Sequence, residues 1–123
     1  LYFKSLYTGE AYINLLTICD VAHLQSRKTH ELSGGEKQRI AIALVLLQKP
    51  DVLILDEPFS NADVLHKKQM LSILNNIHSN LNTTIILVSH DTIDMLGWAS
   101  NIIVMQQGKV VQHALHEQVY HYP

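Results

Sequence analysis

The segment DVLILDEP, Asp51–Pro58, decides the fold that the sequence predicts. Four aliphatic residues stand in a row at Val52–Leu55, where a strand with one solvated face would alternate apolar and polar residues. An unbroken run of this kind is typical of a parallel-sheet strand that is covered on both faces. We therefore expect a buried strand that ends in two adjacent carboxylates, Asp56 and Glu57.

Helical patterns lie on both sides of this strand. Before it, the apolar residues of 15–24 predict a helix with one buried face, and 35–48 predicts a second helix that is apolar almost all round after Arg39. After it, a helix of about sixteen residues is expected from Val64, and a shorter helix near 92–99. Helices and strands therefore alternate, which indicates an α/β fold.

Two further segments predict strands. TTIILVSH, Thr83–His90, repeats the buried-strand pattern, and NIIVMQQGKVVQ, Asn101–Gln112, predicts a hairpin about a Gln-Gly turn. A parallel pair of strands cannot by itself cover both faces of each strand, and such a pair rarely stands alone. The sequence therefore predicts an α/β fold that is incomplete.

The composition is that of one small soluble domain. The chain has 123 residues, of which 47% are hydrophobic and 16% charged, and its formal net charge is -2. This charge creates no field that would attract nucleic acid or an anionic membrane, so we expect no nucleic-acid partner. The single cysteine, Cys19, is expected to be a core thiol in a reducing compartment. This compartment indicates a cytoplasmic protein. No aliphatic run approaches the ~20 residues of a membrane-spanning helix, so we expect any membrane role to depend on a partner.

The segment ELSGGEKQR, Glu31–Arg39, places a serine and two glycines ahead of the second helix. Ser33 can cap this helix through its hydroxyl, while Gly34 and Gly35 allow an anion to approach the first backbone N–H groups. Taken alone, the pattern is more often a simple helix cap than a phosphate site. The polar residues at the strand ends favour the phosphate site.

These polar residues suit the hydrolysis of a nucleoside triphosphate. Ligands bind at the carboxyl edge of parallel sheets, which is where Asp56, Glu57 and His90 are expected. Asp56 is suited to hold Mg²⁺, and Glu57 to orient or deprotonate the attacking water. His90 could bond to a γ-phosphate or position the base.

Four motifs occur in the order and spacing of one known family. The chain resembles the carboxyl-terminal half of an ABC-type ATPase, the nucleotide-binding domain of ATP-binding cassette proteins. The motifs are the signature LSGGEKQR at Leu32–Arg39, the Walker B strand VLILDE at Val52–Glu57, the D-loop SNAD at Ser60–Asp63 and the switch segment VSHD at Val88–Asp91. LYFKSLY and NIIVMQQGKVV also resemble segments of the family. The implied fold is that of a P-loop NTPase-like ABC ATPase.

The resemblance also implies the roles of individual residues. Asp56 is the metal ligand, and Glu57 and His90 are the catalytic residues. The cofactors are ATP and Mg²⁺, and the residues that contact ATP come from the signature and the D-loop: Ser33, Gly34, Gly35, Glu36 and Asp63. In the family the signature completes the ATP site of a facing domain, so a head-to-tail dimer with a second ABC ATPase domain is expected.

The sequence departs from the common family pattern at four positions, none of which removes a catalytic group: Glu36, Leu44, Ala62 and Ser100. The larger difference is that the 123 residues contain no G-x-x-x-x-G-K-[S/T] phosphate loop. We therefore expect an incomplete fold that is inactive by itself. Residues 1–48 are predicted to be a helical-subdomain segment that ends in the signature helix, and 49–123 the carboxyl-terminal part of the ATPase core.

The resemblance implies the energy-coupling subunit of an ABC transporter. Such a subunit hydrolyses ATP to drive transport, binds membrane-spanning permease subunits and lies on the cytoplasmic side of the cell membrane. Two alternatives are a soluble ABC ATPase of the DNA-repair or chromosome type and a non-catalytic ABC-like partner. The lack of sustained heptads ahead of the signature disfavours the first alternative, and the intact Glu57 and His90 disfavour the second.

Overall fold

The described part of the chain contains three α-helices and two pairs of strands. The computed structural model describes residues 9–60, 62–90 and 97–115. The elements in chain order are α1 Glu10–Ile18, α2 Gly34–Leu46, β1 Val52–Asp56, α3 Val64–Leu81, β2 Thr84–Val88, β3 Asn101–Gln106 and β4 Lys109–Leu115, with short 3₁₀ helices at Ala22–Leu24 and Thr29–Glu31. Contacts divide the chain into two compact units, Leu1–Leu87 and Val88–Pro123. The boundary between residues 48 and 49 stays a prediction.

The first helix does not run through 15–24 as predicted. It ends at Ile18, because Asp20 adopts a left-handed backbone conformation with a φ of 53°. The N–H of Val21 then donates to the Leu16 carbonyl at 2.9 Å, which closes the helix end. The apolar residues of this stretch are nevertheless buried together: Leu15, Leu16, Cys19, Val21 and Leu24. The predicted continuous helix is wrong, whereas the predicted burial of its apolar residues is confirmed.

The single cysteine is a core residue. Cys19 has no exposed surface, and desolvation by burial raises the pKa of its thiol to about 11. The thiol is therefore protonated at neutral pH, and a protonated thiol is a poor nucleophile. The prediction of a core thiol is confirmed.

The second helix is buried on one face only. Its inward side chains include Ile42, Ala43 and Leu46, whereas Val45 is 44% exposed. The helix predicted at 35–48 is therefore confirmed with slightly shifted ends, but it is not buried all round. The described elements cover one side of α2 and leave the other side to solvent.

Strands β1 and β2 pair with each other and begin at the same edge. The Thr84 N–H donates to the Asp51 carbonyl at 2.9 Å, and the Thr83 hydroxyl donates to the Pro50 carbonyl at 3.3 Å. These bonds join the residues at the start of one strand to those at the start of the other. The two strands therefore run in the same direction, with α3 as the crossover between them.

The two faces of this strand pair differ in burial. On the core face, Leu53 is buried together with the inward side of α3, which contributes Met70, Ile73, Leu74 and Ile77 to the core. The other face, which we call the open face, consists of Val52, Ile54 and Ile86, and these three side chains are 46–65% exposed. The expectation that both strands are covered on both faces is wrong for the described structure. A sheet of two strands with one crossover helix buries only one face.

The second unit contains the predicted hairpin. Strands β3 and β4 are antiparallel, and Gln106 lies opposite Lys109 at the closed end. Gln107 and Gly108 form the turn with φ values of 49° and 74°. Two successive residues with positive φ are what a two-residue hairpin turn of type I′ requires. The Gln-Gly turn is therefore confirmed.

Two predicted segments lie wholly or mostly outside the described residues, namely LYFKSLY at the start of the sequence and the helix near 92–99. The longest described helix is α3, with 18 residues. Neither α3 nor any other helix in the described ranges combines the length and the apolar character that crossing a bilayer requires.

Candidate functional site

The signature segment forms a capped turn at the start of α2, Ser33–Glu36, which we call the signature turn. The Ser33 hydroxyl accepts a hydrogen bond from the Glu36 N–H at 3.2 Å, and the Glu36 carboxylate accepts one from the Ser33 N–H at 2.7 Å. This reciprocal pair is a capping box, so the predicted cap at Ser33 is confirmed. Gly34 and Gly35 lie between the capping residues, where helix N–H groups lack an acceptor within the helix.

The signature turn also carries a negative charge. The hydrogen bond from the Ser33 N–H is the main cause that lowers the pKa of Glu36, and the Arg27 guanidinium, 3.8 Å away, contributes to the same shift. An ionised carboxylate is favourable at a helix start, but it repels a phosphate. An anion at this turn would therefore depend on the backbone N–H groups of Gly34 and Gly35. The predicted contact between Glu36 and the nucleotide stays a prediction.

The two glycines of the signature turn have different surroundings. Neither has a positive φ, so neither position requires glycine for its backbone conformation. A Cβ on Gly34 would meet no atom within 4 Å, which leaves this position open to a ligand. A Cβ on Gly35 would lie 3.3 Å from Cδ2 of the His66 ring. Gly35 therefore serves the close packing of the signature turn against α3.

The acidic pair lies where β1 ends, and the backbone turns between its two members. Asp56 is the last residue of β1 and is exposed on the same face as Ile54. Glu57 is half-buried and left-handed, with a φ of 47°, and its carbonyl accepts bonds from the Ser60 N–H at 3.1 Å and the Ser60 hydroxyl at 3.0 Å. A non-glycine residue with this φ is uncommon, and such conformations cluster at functional sites.

The D-loop ends in the cap of α3. Oδ1 of Asp63 accepts a hydrogen bond from the His66 N–H at 2.8 Å, and Oδ2 lies 2.9 Å from Nδ1 of the His66 ring. These bonds lower the pKa of Asp63, with the backbone bond as the larger cause. The contact predicted between Asp63 and the nucleotide stays a prediction. Asn61 of the same motif lies outside the described residues.

The switch histidine follows the second strand of the parallel pair. β2 ends at Val88, after which Ser89 is half-buried and His90 is exposed. His90 belongs to the second unit and Glu57 to the first. The predicted meeting of His90 with Glu57 therefore stays a prediction. Asp91 of the same motif lies outside the described residues.

The structure brings the signature helix and the turn after β1 together within the first unit. Nε2 of Gln38 donates a hydrogen bond to the Pro58 carbonyl at 2.7 Å. Gln38 lies three positions after Gly35 and therefore on the same face of α2. One face of α2 thus contacts the segment after Glu57 through Gln38 and the start of α3 through Gly35.

Comparison with known proteins adds independent evidence. The family model described as ABC transporter matches residues 8–60, which contain the signature turn and the acidic pair. The maltose/maltodextrin import ATP-binding protein MalK of Mannheimia succiniciproducens is 42% identical over 106 residues, or 86% of this chain. This chain belongs to the ABC-type ATPases.

Two further proteins support this family membership. MalK of Escherichia coli strain K12 is 40% identical over 106 residues, or 86% of this chain. The solved structure of cbiO1 from Clostridium perfringens, part of the ABC transporter complex cbiONQ, matches with a TM-score of 0.86 and 31% identity over 96% of this chain. The chain spans 28% and 29% of the two MalK proteins and 50% of the cbiO1 chain. The predicted partial ABC ATPase fold is confirmed.

Asp56 of this ABC-type ATPase chain fits a ligand of Mg²⁺. Its carboxylate is exposed at the end of β1, and Mg²⁺ is commonly held by one or two carboxylates together with waters and substrate phosphates. Within residues 9–60, 62–90 and 97–115, no group of three or more His, Cys, Asp or Glu side chains is arranged to hold a metal ion. A single exposed carboxylate is the kind of ligand that Mg²⁺ takes when it binds together with a substrate phosphate.

Two residues that join the predicted site segments were not predicted from the sequence, namely Gln38 and His66. The signal for Gln38 is its spacing of three from Gly35, which places both on one helix face. The signal for His66 is its position three residues after Asp63, where a polar side chain can return to a helix cap. Both signals are weak in the sequence because many exposed polar residues share such spacings.

Proposed function

We propose that this chain is the carboxyl-terminal part of the ATPase domain of an ABC transporter subunit that binds and hydrolyses ATP. ATP and Mg²⁺ are its cofactors, and a second ABC ATPase domain faces it in a head-to-tail dimer. The membrane-spanning permease subunits use the free energy of ATP hydrolysis for transport. The subunit lies in the cytoplasm and is peripheral to the cell membrane through these partners. The names of the MalK relatives specify import, which favours uptake as the direction of transport.

The observation that carries the proposal is the placement of Asp56 at the end of the open face. Val52, Ile54 and Asp56 alternate along β1 and therefore share this face. A segment that covered the exposed aliphatic side chains would also lie beside the Asp56 carboxylate. This arrangement supports a site in which the covering segment supplies the phosphate-binding loop that the 123 residues lack.

Each of the predicted site residues has a separate role in ATP hydrolysis. Bound Mg²⁺ would neutralise charge on the transferred phosphoryl group, and Asp56 is the residue that would hold the ion. Glu57 accepts the proton of the attacking water, and His90 donates a hydrogen bond to the γ-phosphate. The N–H groups of Gly34 and Gly35 contact the phosphates held by the facing domain.

The backbone turns between the two acidic residues, because Asp56 ends β1 and Glu57 is left-handed. Asp56 is fixed by the β1 backbone, whereas the Glu57 carbonyl is held by the N–H and hydroxyl of Ser60. Asp56 therefore lies on the strand, whereas Glu57 lies on the turn that follows it. This supports separate roles for the metal ligand and the base.

Two substitutions in the complete subunit test these roles. Glu57→Gln keeps the size and hydrogen bonding of the side chain but removes its basicity, so Mg-ATP should still bind while hydrolysis falls by roughly 10²–10⁴-fold. Asp56→Asn should instead weaken nucleotide binding that depends on Mg²⁺, because the lost charge belongs to the metal site. Phosphate release at saturating Mg-ATP and equilibrium nucleotide binding separate the two outcomes. Near-normal turnover in the Glu57→Gln protein would remove Glu57 as the base.

A further inference from the structure

The ring of His66 lies between the D-loop cap and the signature turn. We infer that His66 is a positioning residue that holds Asp63 at a fixed distance from Gly35, so that these two segments of one ATPase domain move together. The inference rests on the proposed function, since it concerns the rate of ATP hydrolysis. His66 is not placed in contact with ATP or with the reacting atoms.

One edge of the ring binds the D-loop. Nδ1 of His66 lies 2.9 Å from Oδ2 of Asp63, while the backbone N–H of His66 donates to Oδ1 at 2.8 Å. An ionised carboxylate can only accept hydrogen bonds, so Nδ1 carries the proton in this pair. The bonds lower the pKa of Asp63, which keeps the carboxylate ionised at neutral pH. One residue thereby engages both oxygens of the cap.

The opposite edge of the ring faces the signature turn. A Cβ built on Gly35 would lie 3.3 Å from Cδ2 and 3.7 Å from Nε2 of His66. In an imidazole ring these two atoms lie on the side away from Nδ1. The width of the ring therefore sets the separation between the Asp63 carboxylate and the Gly35 backbone. Helix capping alone does not require this contact, because the His66 N–H already satisfies the cap.

A second contact restrains the same helix face. Gln38 donates to the Pro58 carbonyl at 2.7 Å, and Gln38 and Gly35 lie three positions apart on α2. The signature helix is thus tied to the residue after Glu57 at one point and to the start of α3 at the other. A displacement of the signature turn is transmitted to both segments. Packed contacts of this kind can hold reacting groups within the small tolerances that catalysis requires.

The test compares two substitutions of His66 in the complete subunit. His66→Leu keeps apolar bulk against Gly35 but removes the donor to Asp63, whereas His66→Asn retains an amide N–H near the position of Nδ1. We expect His66→Leu to lower kcat for ATP hydrolysis roughly tenfold with KM changed by less than about twofold, since positioning affects the chemical step more than ground-state binding. His66→Asn should restore kcat to within about threefold of the unmodified subunit.

The matched control is His78→Leu. His78 lies on the same helix, and its Nδ1 is 3.1 Å from the Thr83 carbonyl, away from the D-loop and the signature turn along the chain. This control should leave kcat unchanged. A normal kcat in His66→Leu, a loss that His66→Asn does not restore, or an equal loss in His78→Leu would each overturn the inference.

The same experiment separates failure of the inference from failure of the proposed function. If the unmodified subunit hydrolyses no ATP, or if Glu57→Gln hydrolyses it normally, the proposed function falls and the kinetic role of His66 falls with it. If Glu57→Gln is inactive and His66→Leu is normal, only the inference on His66 is overturned. A nuclear Overhauser contact between the Gly35 Hα atoms and His66 Hδ2 is expected in the unmodified protein, and its absence would also overturn the inference.

Discussion

The two faces of the β1–β2 pair carry the same kind of side chain in opposite environments. Leu53 on the core face is 4% exposed, whereas its neighbour Ile54 on the open face is 65% exposed. The aliphatic run of the sequence therefore specifies strands that can be covered on both faces, and the described residues cover one of them. Burial on the second face depends on residues outside the described structure. The open face is also the face on which Asp56 ends β1.

The strongest test of this difference compares the truncation of a side chain in the core with the truncation of one on the open face. Leu74 of α3 has no exposed surface, so Leu74→Ala should lower the free energy of unfolding by about 2–5 kcal/mol. Ile54→Ala is the matched control on the open face and should change it by less than about 0.5 kcal/mol. Urea unfolding of the chain, at dilutions at which it is monomeric, measures both values. Equal losses would show that the open face is covered within the monomer, which would contradict this comparison.

A smaller effect is expected for association through the open face. Exposed aliphatic residues and sheet edges without partners favour contact between molecules, so the isolated chain should self-associate. Replacing Ile54 and Ile86 together by threonine should weaken this association at least about tenfold, because two apolar side chains leave the contact. Sedimentation velocity measures the change, with Leu65→Thr on the exposed side of α3 as the control. A monodisperse monomer of the unmodified chain would contradict this prediction.

The smallest effect concerns the two glycines of the signature turn. Gly35 packs against the His66 ring, whereas Gly34 has no such neighbour. Gly34→Ala should raise the free energy of unfolding by about 0.4–1 kcal/mol, because alanine lowers the conformational entropy of the unfolded chain and its Cβ meets no neighbour in the folded one. Gly35→Ala should give no such gain, because its Cβ would lie 3.3 Å from the His66 ring. Thermal unfolding of the two variants and of the Gly35→Ala/His66→Ala protein measures the difference. If Gly35→Ala stabilises as much as Gly34→Ala, the ring does not pack against Gly35.

Much of the fold could be predicted because short-range signals specify it. The aliphatic runs give β1 and β2, the Gln-Gly pair gives the hairpin turn, and Ser33 gives the start of α2. The break after Ile18 could not be predicted, because no glycine or proline marks it and Asp20 adopts its left-handed conformation without such a signal. The aliphatic runs of β1 and β2 also could not predict that one face of these strands would be exposed.

The candidate site also combines residues that local motifs predict with contacts between distant segments that the sequence does not predict. The motifs predicted Asp56 and Glu57 as site residues, but the left-handed φ of Glu57 could not be predicted, because glutamate does not favour this conformation. The contacts of Gln38 with Pro58 and of His66 with Gly35 join segments that are 20 and 31 positions apart in the sequence. Spacing within a helix cannot reveal such contacts, since they depend on how α2 and α3 are placed relative to each other.

Titration with Mg-ATP tests most directly whether this chain is one part of an ATP site. The 123 residues contain the signature turn, Asp56 and Glu57 but no phosphate loop. The isolated chain should therefore bind Mg-ATP more weakly than micromolar and release no phosphate, whereas the complete subunit should bind and hydrolyse it. Micromolar affinity in the isolated chain, measured by isothermal titration calorimetry, would contradict this claim, because it would require a phosphate cradle within these residues.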